Sequence, residues 1–116
     1  MNGTDEQVLV RVHGSPALPT LIYLPGLHGD WTLVASFRTV LADKVRFVEI
    51  TYPRTTTWTL DDYADGIERA LRAEGISEGW LIGESFGSQP AWAMIRRSQH
   101  HESEFQIQGL ILAGGF

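Results

Sequence analysis

The sequence contains no cysteine, few basic residues and no long apolar run. Without cysteine there can be no disulfide, no thiolate nucleophile and no cysteine-ligated zinc or iron–sulfur site. A net charge of -5 argues against a nucleic-acid partner, because phosphate binding needs a concentrated basic surface. The basic pair Arg96-Arg97 lies in a predicted helix, and we interpret it as a solvated face.

No apolar stretch approaches the ~18 residues that are needed to cross a membrane. The polar start MNGTDEQ also lacks the basic and apolar regions of a secretion signal. We therefore predict a cytoplasmic protein with no membrane partner.

The 116 residues, of which 43% are hydrophobic, are enough for one small core and too few for two. We predict a single domain over residues 1–116. Short β-branched runs alternate with longer amphipathic runs, which is typical of βαβ units. The fold class is therefore α/β, with a mostly parallel sheet flanked by helices on both faces.

Hydrophobic periodicity predicts strands at 8–12, 21–24, 45–50, 80–83 and 107–113, and helices at 31–42, 60–73 and 86–100. The best-marked helix is the one over 60–73, where Thr59 and Asp62 form a capping-box-like start and Gly75 provides the stop. Ligands of open parallel sheets bind at the carboxyl ends of the strands. Two glycine-containing loops leave that edge, PGLHGD after the second strand and GESFGS after the fourth.

The second loop has the pattern G-x-S-x-G, from Gly83 to Gly87. A serine on a tight strand-to-helix turn has a strained backbone, and the positions two before and two after it must be small so that strand and helix can cross closely. Because the pattern falls between a predicted strand and a predicted helix, we predict a nucleophile elbow with Ser85 as the nucleophile. An ordinary glycine-rich turn is the alternative.

The first loop is a candidate oxyanion site. Attack on an acyl carbon places negative charge on oxygen, and two backbone N–H groups can stabilise that charge. One N–H would come from Phe86, directly after the nucleophile, and the other from Leu27. The alternative is a glycine-rich connector without an electrostatic role.

In order, the segments LIYLPGLHGD, VRFVEITYP, TLDDYADGIERAL, WLIGESFGSQPAWAM and GLILAGGF resemble the first half of the α/β-hydrolase fold. The resemblance implies a truncated α/β-hydrolase fold. It also implies a serine hydrolase that acts on small carboxylic esters or related acyl substrates. The residues show no metal-ligand spacing, and we predict no cofactor or metal. Ser85 would be the nucleophile, with Leu27 and Phe86 as oxyanion donors. Many relatives have His-Gly in place of Pro25-Gly26, a difference that leaves the backbone donor intact.

In the family, the catalytic acid and base follow strands beyond the elbow, and we expect both regions to be absent from this chain. His28, on the oxyanion loop, is the weak candidate base, and His13 is weaker still. His100 and His101 would lie roughly 20 Å from the serine, at the far end of the elbow helix. Glu84 should point away from Ser85, because adjacent strand residues face opposite ways.

Two other function classes stay open. One is a non-catalytic α/β-hydrolase-like binding module or inactive fragment. The other is a nucleotide-binding α/β domain, which is disfavoured because neither loop has phosphate-loop spacing. The family strand order would also place the strand 107–113 at the sheet edge, where an unpaired apolar strand attracts another chain. We therefore predict a homo-oligomer formed through this strand or the apolar surface next to it.

Overall fold

The sheet is mostly parallel, as predicted. The computed structural model describes residues 7–26, 36 and 38–113. Within these residues the strands are β1 (Leu9–His13), β2 (Thr20–Leu24), β3 (Arg46–Thr51), β4 (Glu78–Glu84) and β5 (Gln106–Ala113). They lie in the order β1-β3-β2-β4-β5. All neighbouring pairs are parallel except β1 and β3, which are antiparallel. The carboxyl ends of β2, β3 and β4 therefore share one edge of the sheet.

Helix α1 (Leu60–Ala73) has the predicted bounds, because its signals are local. The Thr59 hydroxyl accepts a hydrogen bond from the Asp62 amide at 3.1 Å, and the Thr59 amide donates to Asp62 Oδ2 at 2.8 Å. At the other end Gly75 has a φ of +76°, the left-handed conformation that favours glycine. The predicted capping box and glycine stop are both confirmed.

Helix α2 (Ser88–Gln99) begins after a 3₁₀ turn, Ser85–Gly87, rather than at Phe86 as predicted. The difference arises because the chain must reverse sharply off β4 before regular helix can form. Residues 36 and 38–41 are helical, within the helix predicted over 31–42. The remainder of that segment lies outside the described residues.

Both faces of the sheet contribute to the core. Residues that alternate along a strand point to opposite faces. One set packs under α1 and α2 and includes Ile22, Val48 and Leu81. The opposite face carries a smaller cluster of Tyr23, Phe47 and Ile82. Among the described residues, no helix is long and apolar enough to cross a membrane.

An ion-pair network joins α1 to α2. Arg97 Nη2 lies 3.0 Å from Glu68 Oε1, and their side chains are only 16% and 4% exposed. The interpretation of Arg96-Arg97 as a solvated face is therefore wrong for Arg97, because a buried glutamate on α1 faces it. Burial alone would lower the pKa of Arg97, but the hydrogen bond and charge of Glu68, aided by Asp65 and Asp61, raise it. Arg97 is charged throughout the accessible pH range.

We expect Arg97→Ala to lower the free energy of unfolding by about 3 kcal/mol, because it leaves the Glu68 carboxylate buried without its partner. Arg96→Ala is the matched control, since Arg96 is exposed and its ion pair with Asp61 should contribute less than about 1 kcal/mol. Urea unfolding of the two variants measures the difference. If both variants lost the same free energy of unfolding, the stabilising contact between α1 and α2 could not be assigned to Arg97.

Strand β5 forms one edge of the described sheet, as predicted. Its residues Ile111 and Leu112 are both exposed. Pairing of this edge with another copy of the chain stays a prediction, and light scattering that finds a monomer would contradict it.

Candidate active site

Ser85 occupies a strained turn at the carboxyl edge of the sheet. Its φ is +54°, a left-handed conformation that is uncommon for residues other than glycine and that costs about 1–3 kcal/mol. The buried Ser88 hydroxyl donates to the Ser85 carbonyl oxygen at 2.8 Å, which helps to hold the turn. Ser85 itself is exposed. The backbone geometry is the one that the G-x-S-x-G pattern predicts.

The two glycines of the pattern lie at close backbone crossings. A methyl group on Gly83 would lie 3.0 Å from both the Gly87 carbonyl oxygen and Ser88 Cα. A methyl group on Gly87 would lie 1.9 Å from the Leu24 carbonyl oxygen, which is less than van der Waals contact allows. Gly83 therefore lets β4 cross the start of α2, and Gly87 lets the same turn pack against the end of β2.

The loop after β2 borders the serine. A methyl group on Gly26 would lie 3.5 Å from Ser85 Cβ and 3.8 Å from Ser85 Oγ. This places the Pro25-Gly26 segment next to the hydroxyl. Leu27, the candidate oxyanion donor, and His28, the candidate base, lie outside the described residues.

Aromatic rings pack beneath the turn. Tyr52 and Tyr63 each meet the Phe86 ring edge-on, with ring centroids 5.7 and 5.3 Å away. The Tyr52 hydroxyl donates to the Pro25 carbonyl oxygen at 2.8 Å. Burial, with smaller contributions from Tyr23 and Tyr63, raises the pKa of Tyr52 well above its ordinary value, so the phenol stays protonated. Tyr52 was not among the predicted site residues, although its position directly after β3 puts it at the same edge as the two loops.

Two ionisable residues considered for the site, Glu84 and His13, have partners elsewhere. Glu84 accepts a hydrogen bond from the Tyr23 hydroxyl, so its side chain has a structural partner on β2. His13 pairs in register with Phe47 near the start of β3, which is the edge of the sheet opposite Ser85. Its Nε2 lies 2.7 Å from Glu49 Oε2, outside ideal hydrogen-bond geometry. His13 is therefore excluded as the base for Ser85 within one chain.

His100 and His101 follow the last residue of α2, a helix of 12 residues and therefore ~18 Å long. They lie far from the Ser85 turn, as predicted. Within residues 7–26, 36 and 38–113, no histidine lies beside the serine.

The comparisons with known proteins agree with this architecture. An α/β-hydrolase family protein from Desulfitobacterium hafniense superposes with a TM-score of 0.76 over 92% of this chain and 44% of its own, at 22% identity. Naproxen esterase from Bacillus subtilis superposes with a TM-score of 0.72 over 90% of this chain and 38% of its own, at 20% identity. The fold is that of the α/β-hydrolases.

A curated relative, the 2-succinyl-6-hydroxy-2,4-cyclohexadiene-1-carboxylate synthase of Yersinia pseudotuberculosis, is 32% identical over 106 residues, which cover 84% of this chain and 36% of the relative. No family model matches the chain. The chain thus spans less than half the length of these α/β-hydrolase-fold proteins. The Ser85 turn and the Pro25-Gly26 loop adjoin at the carboxyl edge of the sheet, where open α/β sheets generally bind their ligands.

Proposed function

We propose that the chain is part of a serine hydrolase that acts on carboxylic esters or related acyl substrates, with Ser85 as the nucleophile. The observation that carries the proposal is the exposed Ser85 at a φ of +54° on the strand-to-helix turn. A backbone strain of this kind persists only where surrounding structure holds it, and it is common at active sites. The names of two fold neighbours, naproxen esterase and an esterase from a marine microorganism, support ester chemistry.

In the proposed reaction, Ser85 Oγ attacks the acyl carbon while its proton passes to a base. The carbonyl oxygen becomes negatively charged and is stabilised by the backbone N–H groups of Phe86 and Leu27. Collapse of this intermediate transfers the proton to the departing alcohol and leaves an acyl group on Ser85. Water, which gives its proton to the base, then attacks the acyl carbon. The bond to Ser85 Oγ breaks, Ser85 recovers its proton, and the acid is released. Within this chain, His28 is the candidate base.

A fluorophosphonate probe tests the proposal, because it reacts only with an activated serine. We expect one adduct, located by mass spectrometry on the peptide that contains Ser85, and no adduct when the protein is unfolded in urea before the probe is added. His28→Ala would slow labelling if His28 is the base, whereas the control His13→Ala would leave the rate unchanged. A folded chain that takes no label would overturn the hydrolase proposal and favour a non-catalytic binding module.

A second candidate rests on the 32% identity with the Yersinia synthase, which exceeds the 20–22% found for the Desulfitobacterium protein and naproxen esterase. In this second candidate function, the site around Ser85 acts on the substrate of that synthase instead of on an ester. Direct assay for 2-succinyl-6-hydroxy-2,4-cyclohexadiene-1-carboxylate, run beside hydrolysis of an activated ester, separates the two. Synthase product without ester turnover would favour this second candidate.

A further inference from the structure

Strand β4 is held unequally by its two neighbours at its carboxyl end. Toward β5 the pairing continues to Glu84, which lies opposite Ala113. Toward β2 it stops one residue earlier, at the pair formed by Leu24 and Gly83. The residue after β2 is Pro25, which has no N–H to extend the ladder. In the described sheet, the last residue of β4 therefore has a strand partner on one side only.

A side-chain hydrogen bond joins β2 to Glu84 across this gap. Tyr23 pairs in register with Ile82. Residues two apart on a strand point to the same face, so the Tyr23 and Glu84 side chains lie on one face of the sheet. The Tyr23 hydroxyl donates to the Glu84 carboxylate. This bond ties β2 to the residue directly before Ser85.

Tyr23 is the fixed member of the pair. It is 1% exposed, and its ring stacks on Phe47 with the centroids 6.1 Å apart. Both rings belong to the buried cluster on the face of the sheet opposite α1 and α2. A close-packed ring cannot change rotamer freely, so the phenol oxygen has a defined position. The half-buried Glu84 is therefore anchored to a rigid group.

The turn at Ser85 is restrained from both faces of the sheet. Glu84 is extended, with a φ of -114° and a ψ of 125°, and Ser85 then has a φ of +54°. On the helix side, the Ser88 hydroxyl donates to the Ser85 carbonyl oxygen. On the opposite side, the Tyr23 hydroxyl binds the Glu84 side chain. The strained torsion angle of Ser85 lies between these two attachments, so the loss of either gives the turn more freedom to relax.

We infer that Glu84 is a positioning residue, anchored by Tyr23, that helps to keep the Ser85 hydroxyl in the geometry needed for attack. The inference rests on the proposed function, since the placement of the hydroxyl has a chemical purpose only if Ser85 is acylated. In this assignment the carboxylate acts from the far face of the sheet and contacts neither the substrate nor the reacting atoms. Its contribution comes from restraining the residue that precedes the nucleophile.

Glu84→Ala removes the acceptor of the Tyr23 hydrogen bond. We expect the rate of fluorophosphonate labelling at Ser85 and kcat for an activated ester to fall about 10- to 100-fold, because misplacement of a reacting group by about 1 Å has effects up to this size. KM should change little, since the bond affects the attacking oxygen and not the binding of the ester. Glu84→Gln keeps an acceptor oxygen and should retain most of the wild-type rate. The control is Glu78→Ala, which removes an exposed glutamate from the first residue of the same strand and should label as the wild type does.

Tyr23→Phe removes the donor and keeps the buried ring, so the core should stay packed. We expect it to slow labelling as much as Glu84→Ala does. The double variant Tyr23→Phe/Glu84→Ala should then be no slower than either single variant. Two residues that act through one shared bond are non-additive in this way, whereas independent losses would multiply.

A second readout does not depend on activity. Backbone amide hydrogen exchange at positions 85–88 should be faster in Tyr23→Phe and Glu84→Ala than in Glu78→Ala, at equal global stability. Labelling of Glu84→Ala at the rate of Glu78→Ala would overturn the inference, as would a double variant whose loss is the product of the two single losses. Failure of the proposed function looks different, because the wild-type protein would then take no label on Ser85 while the exchange difference could still be measured.

Discussion

Replacement of Ser85 by alanine is expected to abolish both probe labelling and ester turnover, with a fall in kcat of at least about 10³-fold. The hydroxyl is the proposed attacking group, and within the described residues the neighbouring Ser88 cannot replace it, because Ser88 is fully buried and its hydroxyl is bonded to the Ser85 carbonyl. Alanine occupies the same backbone conformation, so the fold should be retained. Equal turnover by the variant and the wild type would remove Ser85 from the mechanism.

The same position should show a conflict between stability and function. The free energy of unfolding of Ser85→Gly should be about 1 kcal/mol higher than that of Ser85→Ala, because glycine adopts a φ of +54° without strain. Gly75→Ala is the reverse substitution and should lower the free energy of unfolding, since Gly75 has a φ of +76° and an added methyl group would meet nothing within 4 Å. Thermal and urea unfolding of the variants measure these differences. If the glycine variant were no more stable than the alanine variant, the turn would not be strained in solution.

Gly87→Ala is expected to prevent folding, with a loss of more than about 4 kcal/mol. The added methyl group would lie 1.9 Å from the Leu24 carbonyl oxygen and 2.6 Å from its carbonyl carbon. Both atoms belong to backbone at the buried carboxyl end of β2, so relief requires β2 and the start of α2 to separate. Circular dichroism and urea unfolding of the purified variant provide the measurement.

Gly26→Ala is the matched control on the facing segment. Its methyl group would make ordinary contacts of 3.5 and 3.8 Å with Ser85 Cβ and Oγ, so the fold should persist. Acylation should nevertheless slow, because the methyl group occupies space beside the attacking oxygen. A Gly87→Ala protein as stable as Gly26→Ala would show that the crossing of turn and β2 is looser than described.

The sequence predicted best what local signals determine. Helix α1 was bounded correctly because Thr59, Asp62 and Gly75 act within a few residues of its ends. The parallel sheet followed from the alternation of short apolar runs with amphipathic ones. The Ser85 turn was also predictable, since its glycines are required by the backbone itself.

Long-range contacts explain what the sequence did not reveal. Arg97 looked like a solvated residue because its partner Glu68 is 29 positions away, on another helix. The hydrogen bond of Tyr52 could not be predicted, because its hydroxyl binds a backbone carbonyl 27 positions earlier. Such pairings depend on how β2, β3 and the helices are brought together, and no local pattern encodes them.

The left-handed backbone conformation of Ser85 limits what a search for the G-x-S-x-G motif alone can establish. A free pentapeptide with the sequence GESFG would adopt torsion angles of lower energy, since nothing within five residues requires the positive φ of the serine. The exposed hydroxyl is thus a property of the assembled domain, in which the turn packs against β2 and the Phe86 ring packs against two tyrosine rings. The same five-residue motif in a different fold would share the sequence without adopting this backbone conformation.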